Sequence, residues 1–229
     1  MLAAIALTPS APVLVPELAG AAAEASPVRA AAVAAAAALP DRWIAIGAGP
    51  ADEVCSGVRG SFAGYGADVA VALDPQAPPG VTALPLCALI AGWLRGRANP
   101  GASVDVRVFS AGLDATAALH CGRRLRTEID RDEGPVGVLV VADGANTLTQ
   151  AAPGGFDPQA ESVQAALDDA LAAADTAALA ALPDGIVGGV AYRVLAGLAE
   201  SSPWSAQEMY RGAPYGVGYF AGVWRPRSP

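Results

Sequence analysis

The sequence predicts an α/β fold with three layers, helix–sheet–helix, around a mostly parallel or mixed central sheet. Short apolar runs alternate along the chain with longer stretches that have alanine and leucine at helical spacing, the pattern of strand–helix–strand units. Hydrophobic residues make up 53% and charged residues 16% of the 229 residues, so the chain can bury a large core and is not disordered. No linker or internal repeat divides the sequence, and we therefore predict one domain over residues 1–229.

Six segments are predicted to be strands. Residues 136–142 are continuously apolar, which is typical of a central strand covered by helices on both faces. The glycine-rich residues 52–66 are predicted to be a loop or a short helix. The other strands are expected at residues 2–7, 43–47, 68–73, 104–109 and 217–224.

The helices alternate with these strands. The alanine-rich region 16–39 is expected to divide at Pro27 into two helices, with Ser26 as the N-cap of the second. Residues 157–182 predict one long helix that is capped by Asp157. The remaining helices are expected at residues 84–95, 113–129 and 189–200.

Charge and cysteine content limit the classes of partner and the compartment. The formal net charge of −8 repels phosphate backbones and anionic lipids, which argues against nucleic-acid and membrane partners. Proline and charged residues interrupt the apolar region 19–39, so no transmembrane span is predicted, and residues 1–9 predict a first strand instead of a secretion signal. Cys55, Cys87 and Cys121 are widely spaced and odd in number, which predicts free thiols in a reducing cytoplasm.

Ligands of open α/β sheets bind beyond the carboxyl ends of the parallel strands. In this chain, Asp143 directly follows the most apolar strand, where its carboxylate could bind a hard cation or hold the end of the strand. An anionic ligand would need nearby arginines, such as Arg42, Arg193 or Arg211. The turns expected to line a site are residues 8–12, 47–50, 110–112 and 143–149.

The catalytic and binding motifs in the sequence are few. Residues 47–49 begin like a dinucleotide-binding fingerprint but lack its third glycine, so an ordinary turn is predicted. The phosphate-binding loop motif G-x-x-x-x-G-K-[ST] and the hydrolase motif G-x-S-x-G do not occur in the sequence. His120 and Cys121 are adjacent on a predicted helix and point about 100° apart, which favours helix-face residues over a nucleophile–base pair. Asp157 could bind a cation or cap its helix, and Tyr215 could offer a hydroxyl to a cleft or pack within a strand.

Several segments match the motifs of one enzyme family. Pro9-Ser10-Ala11-Pro12 follows the first predicted strand, and residues 46–49 (IGAG) end the second. Residues 140–149 (VVADGANTLT) lead from the central strand into a polar loop, and residues 156–157 and 213–220 follow later. In these segments the chain resembles the LigB-type family of class III extradiol ring-cleavage dioxygenases. The corresponding family motifs are Ser-His-x-Pro, a second-strand segment ending in histidine, and a strand leading into Ser-Gly-Asp-Leu-Ser-His.

The resemblance implies a LigB-like α/β domain with a mononuclear non-haem iron(II). In the family, two histidines and one glutamate hold the metal, and a further histidine acts as acid/base in the opening of catecholic rings. Ser10 and Gly49 stand at the two histidine-ligand positions, and Tyr192 stands near the glutamate position. The acid/base position falls on Leu148 or Thr149. None of these side chains supplies the required chemistry, and the chain contains one histidine.

We therefore predict a catalytically degenerate, metal-free relative of these oxidoreductases that has no cofactor and acts as a binding or structural module. A small-molecule ligand, a homodimer and a partner subunit all remain open. The strand-end cleft of this module is predicted to be formed by Ser10, Gly49, Asp143, Asn146, Thr147, Thr149, Tyr192 and Tyr215.

Two alternatives stay open, and the residues do not decide whether the chain is an enzyme. The first is an active enzyme of the same superfamily with a rebuilt site for metal-dependent ring opening, hydrolysis or lyase chemistry. Such a site would draw on Glu53, Asp143, Thr147, Asp157 and Tyr215. The second alternative is a cleft that a partner's histidines complete.

Overall fold

Nine strands and seven α-helices form within residues 1–20 and 22–227, the part of the chain that the computed structural model describes. β4 and β5 pair with each other, and the other strands form one seven-stranded sheet in the order β3-β6-β2-β7-β1-β9-β8. The strands are β1 (Leu2–Thr8), β2 (Arg42–Gly49), β3 (Glu53–Cys55), β4 (Arg59–Ser61), β5 (Ala70–Ala72), β6 (Ser103–Ser110), β7 (Val136–Val141), β8 (Trp204–Gly212) and β9 (Tyr219–Pro226).

The large sheet is mixed, and its four parallel strands lie side by side. β6, β2, β7 and β1 run parallel, whereas β3, β9 and β8 are antiparallel to their neighbours. β7 is the middle strand and all of its residues are buried, as its unbroken apolar run predicts. The carboxyl ends of the four parallel strands therefore meet at one edge of the sheet.

Helices cover both faces of this sheet, which confirms the predicted three-layer architecture. α2 and α3 share a buried cluster with Trp43 and Ala45 on one face, and α4 to α7 share another with Ile44 and Ile46 on the opposite face. This division follows from the alternation of side chains along a strand. The helices are α1 (Pro16–Ala19), α2 (Ala25–Ala36), α3 (Leu86–Ala98), α4 (Ala115–Asp130), α5 (Ala160–Ala173), α6 (Thr176–Ala180) and α7 (Gly189–Ala199).

Two glycines allow α4 and α7 to pack backbone against backbone. A β-carbon on Gly122 would lie 2.1 Å from the carbonyl oxygen of Val194, and one on Gly197 would lie 2.1 Å from that of Leu119. Both distances are far below van der Waals contact, so alanine at either position would separate the helices. Within the described residues, no helix is both long and apolar enough to cross a lipid bilayer.

The sequence missed three strands. Residues 52–66, predicted to be a loop or short helix, contain β3, β4 and a 3₁₀ turn at Phe62–Tyr65. β8 was not predicted because it is an edge strand with a polar, partly exposed sequence, WSAQEMYRG, that lacks a clear apolar alternation. β9 also begins later than expected, at Tyr219, since the preceding residues form a turn.

Two helix boundaries were also wrong. α2 begins at Ala25, so Ser26 and Pro27 lie inside its first turn, where proline is tolerated, and Ser26 is not the N-cap. The predicted long helix after Asp157 begins only at Ala160, because the Asp157 carboxylate accepts a hydrogen bond from the Gln159 amide in a local turn (2.9 Å). That helix is also divided at residues 174–175, where Ala174 adopts a left-handed conformation (φ 53°) and Asp175 caps α6.

Candidate functional site

The ends of β1 and β7 bring Ser10 and Asp143 together. Thr8 and Val141 are paired at the carboxyl ends of these parallel strands. The residues that follow each strand therefore leave the sheet at the same edge. The Ser10 amide then donates a hydrogen bond to Oδ1 of Asp143 (2.8 Å). This bond joins two of the four turns that the sequence singles out.

Asp143 lies in the turn that follows the carboxyl end of β7. Its side chain is partly buried, and desolvation raises the pKa of the carboxyl group from 3.8 to about 7, although the hydrogen bond from Ser10 opposes the shift. The Asp143 carbonyl also accepts a hydrogen bond from the Gly188 amide at the start of α7 (2.8 Å). The carboxyl group is therefore fixed in position and can change its protonation state near neutral pH.

Backbone hydrogen bonds connect the segment after Asp143 to the residues that precede α7 and to the residue that precedes β9. The Gly144 amide donates to the Gly218 carbonyl, and the Gly218 amide donates to the Ala145 carbonyl, both at 2.8 Å. Gln164 of α5 is buried and completes the clamp: its Oε1 accepts from the Ala145 amide and its Nε2 donates to Asp168 Oδ1, again at 2.8 Å. Burial raises the pKa of Asp168 to about 6.

Glycine is required on both sides of the Gln164 amide. A β-carbon on Gly144 or on Gly218 would lie 2.0 Å from Gln164 Oε1. The sequence did not single out Gln164, and the only signal was its i, i+4 spacing to Asp168 on the apolar face of a helix.

Three tyrosines lie near these turns, one in α7, one in the turn before β9 and one at the start of β9. Tyr192 is buried and donates its hydroxyl hydrogen bond to the Ala142 carbonyl (2.9 Å), and burial together with the charge of Asp143 raises its pKa well above 10. The Tyr215 hydroxyl is buried and has no hydrogen-bond partner among the described residues. Tyr219 is buried as well, and its pKa is raised by burial and by the charges of Asp143 and Tyr215. Tyr219 thus lies close to Asp143, although the sequence singled out only Tyr192 and Tyr215.

The polar loop after β7 folds back on a glycine turn. The Gly154 amide donates to the Asn146 carbonyl and the Asp157 amide donates to the Thr147 carbonyl, at 2.9 and 3.0 Å. Asn146 and Thr147 are partly exposed, whereas Thr149 is exposed. Asn146, Thr147 and Thr149 therefore lie in the loop that follows β7, and the backbone of Asn146 and Thr147 is held by the later residues Gly154 and Asp157.

Gly49 ends β2 where no side chain has room. It pairs with Ser110 of β6, and a β-carbon built on it would lie 2.5 Å from Cγ1 of Val108. β7 lies between β2 and β1, so Gly49 is separated from Ser10 by one strand.

Comparison with known proteins identifies a fold and no family. No protein-family model and no curated protein matches the sequence. Among solved structures, the crystal structure of the uncharacterized protein JW3007 from Escherichia coli K12 is similar, with a TM-score of 0.59 and 10% sequence identity over 96% of this chain and 99% of that chain. At this identity the likeness shows a common fold alone.

The residues at the strand-end cleft do not fit the iron(II) that the LigB resemblance implies. Ser10 and Tyr192 offer neutral hydroxyls, Gly49 offers no donor, and the Tyr192 hydroxyl is already bonded to a backbone carbonyl. Among residues 1–20 and 22–227, no group of three or more histidine, cysteine or carboxylate side chains could hold a metal ion. His120 lies exposed on α4, as the sequence predicts for a helix-face residue.

The arginines that the sequence offered for an anionic ligand have structural partners. Arg42 forms an ion pair with Asp132 (2.9 Å), and Arg193 donates to the Leu182 carbonyl (2.6 Å). Arg211 binds Glu208 and Asp169, so its charge is balanced by two carboxylates. We therefore do not assign these three side chains to the strand-end cleft.

Proposed function

We propose that this chain is a catalytically degenerate, metal-free relative of the extradiol ring-cleavage dioxygenases, and that its strand-end cleft serves as a binding or structural module. The proposal joins two observations: the α/β sheet with its polar turns at the strand ends, and the side chains that stand where the resemblance places the iron ligands. Metal-supported ring opening needs a set of ligands that converge on one ion with positions left open for substrate and dioxygen.

The observation that carries the proposal is the packing at Gly49. This residue stands at the second histidine position, and Val108 occupies the space that even a β-carbon would need (2.5 Å). An imidazole could enter only if the Val108 side chain moved or were shortened. Glycine at this position allows β2 to lie close to the Val108 side chain of β6. A larger side chain, such as a metal-binding imidazole, would clash with Val108.

The other two ligand positions support the same interpretation of the cleft. The backbone amide of Ser10 holds Asp143, and the hydroxyl of Tyr192 holds the end of β7 through the Ala142 carbonyl. Both residues thereby stabilise the turns around the cleft. Between these turns lies the carboxyl group of Asp143, whose pKa burial raises to about 7.

Ring-opening turnover tests the proposal. The protein is incubated anaerobically with iron(II), and catechols are then added with dioxygen while the visible absorbance of ring-opened products is followed. We expect no turnover beyond that of free iron(II). The His120→Ala variant is the matched control for iron that binds to the one exposed imidazole. Turnover that requires the protein and persists in His120→Ala would overturn the proposal.

Asp143 supports a second candidate, an enzyme with a rebuilt acid/base site. A carboxyl group with a pKa of about 7, held by a backbone amide in a partly exposed residue, has the properties of a general acid or base. Esters, amides and β-hydroxy acids are the substrates to screen, because their hydrolysis or elimination needs a proton transfer. An activity that is lost in Asp143→Asn and that changes with pH near 7 would favour this candidate, whereas an activity unaffected by the substitution would exclude Asp143.

A further inference from the structure

A groove lies between α4 and the β3–β6 edge of the sheet, on the far side of β2 from β7 and β1. Its volume is about 760 Å³, within the range of small-molecule sites. We name it the arginine groove. We define it by six of the residues that line it: Val54, Arg107, Phe109, Cys121, Arg124 and Arg131.

Three guanidinium groups converge on the arginine groove in a chain whose net charge is −8. Arg124 of α4 and Arg131, the residue that follows α4, are both exposed and line the groove, and neither side chain has an ion-pair or hydrogen-bond partner among the described residues. Arg107 of β6 reaches the groove from the sheet. It binds Glu128 through Nη2 (2.6 Å), and its buried Nε has no partner within the described chain.

Three carboxylates also line the groove, so the formal charges of its lining balance. Asp52 accepts a hydrogen bond from the Ser110 amide (2.7 Å), and Glu128 is paired with Arg107. Glu53 lies near Cys55, and its negative charge adds to the burial that raises the pKa of that thiol. Arg124 and Arg131 form no ion pair with any of these carboxylates within the described residues, so their N–H donors are open to an anionic group.

The rest of the lining is apolar. Val54 is 59% exposed on the edge strand β3, and Val108, Phe109 and Leu125 contribute further apolar surface. Unpaired guanidinium groups beside an apolar wall suit a ligand with both features, because arginine binds carboxylates with paired N–H donors. We propose that the arginine groove binds an organic carboxylate with a flat apolar body, at a site separate from the strand-end cleft.

Cys121 provides a reporter of occupancy. It is partly exposed in the groove, whereas Cys55 and Cys87 are buried and burial raises the pKa of their thiols to about 11 and about 12. A neutral alkylating reagent such as iodoacetamide should therefore label Cys121 first. Mass spectrometry of the labelled peptide, with Cys121→Ser as the blank, assigns the signal to this thiol.

The test measures protection of Cys121 by three probes: indole-3-acetate, the neutral indole-3-acetamide, and acetate. We expect indole-3-acetate to slow the alkylation, and the other two to need roughly tenfold higher concentrations, because each lacks one recognised feature. Equal protection by the amide would refute recognition of the charge. Equal protection by acetate would refute a role for the apolar wall, and absence of protection by all three would refute the site.

Variants of α4 locate the charge that is recognised. Arg124→Gln and Arg131→Gln should each weaken protection by indole-3-acetate about tenfold, which corresponds to the loss of one charge-assisted contact. Arg123→Gln is the matched control, since Arg123 lies on the same helix, is exposed, and binds Glu200 outside the groove. Equal weakening by Arg123→Gln would show a general effect of net charge and would overturn the proposal.

Discussion

Replacement of Asp143 by asparagine should stabilise the protein, and only above about pH 4. The carboxyl group has a pKa of about 7 in the folded protein and an ordinary value of 3.8. Below about pH 4 it is protonated in both the folded and the unfolded chain. Between about pH 4 and pH 7 the folded protein retains a proton that the unfolded chain releases, so the free energy of unfolding falls as pH rises.

The size of the effect follows from the shift of the pKa. A difference of about three units corresponds to roughly 4 kcal/mol, at about 1.4 kcal/mol per unit, and residual contact of the side chain with solvent lowers this figure. We expect Asp143→Asn to raise the free energy of unfolding by about 1–4 kcal/mol at pH 8 and by nearly nothing at pH 4. The asparagine Oδ1 can still accept the hydrogen bond from Ser10, so the loop contact is retained.

Urea unfolding of both proteins at pH 4, 5, 6, 7 and 8 measures the difference directly. Asp168, whose pKa is also raised, to about 6, is present in both proteins and its contribution cancels. A stability difference that does not change with pH would refute a desolvated carboxyl group at this position. A stability difference that grows as pH falls would mean that the pKa of Asp143 is lowered by folding, which contradicts the prediction.

Two further predictions concern packing. Gly122→Ala should lower the free energy of unfolding by about 1–3 kcal/mol, because the new β-carbon would clash with the backbone of α7. The control is Gly96→Ala in α3, where the space around the residue is open. This variant should be neutral or more stable by up to about 1 kcal/mol. Thermal denaturation of the two variants checks this, and equal melting temperatures would contradict the close helix crossing. Gln164→Ala should cost about 1–3 kcal/mol, since the Ala145 amide and Asp168 lose their partner, while the exposed Gln150→Ala should cost less than about 0.5 kcal/mol. Similar urea midpoints for these two variants would show that the Gln164 clamp contributes little.

The sequence predicted the elements that are buried on both faces and missed those that are half exposed. β7 is an unbroken apolar run and was located to within a residue, because a strand covered by helices must be apolar throughout. β8 lies at the edge of the sheet, where polar residues such as Ser205 and Gln207 face outward and remove the periodic signal. Helix ends were least predictable, since Ala174 in a left-handed conformation ends α5 without a glycine to mark it.

Site residues were predictable where they follow a strand directly. The rule that parallel strands end at one edge led to Ser10 and Asp143, and the structure joins them by a hydrogen bond. Gln164 and Tyr219 come from segments distant in sequence, and only the packed structure brings them to the turns after β7. The crowding at Gly49 has the same origin, because the position of Val108 relative to it depends on the pairing of β2 with β6.

Iron stoichiometry is the most direct test of the central claim that the ligand set for ring cleavage is absent. Equilibrium dialysis against micromolar iron(II) under anaerobic conditions, followed by metal analysis, gives the number of ions bound per chain. We predict well below one iron per chain, with any residual binding abolished in His120→Ala. One tightly bound iron per chain, retained in His120→Ala, would contradict the claim.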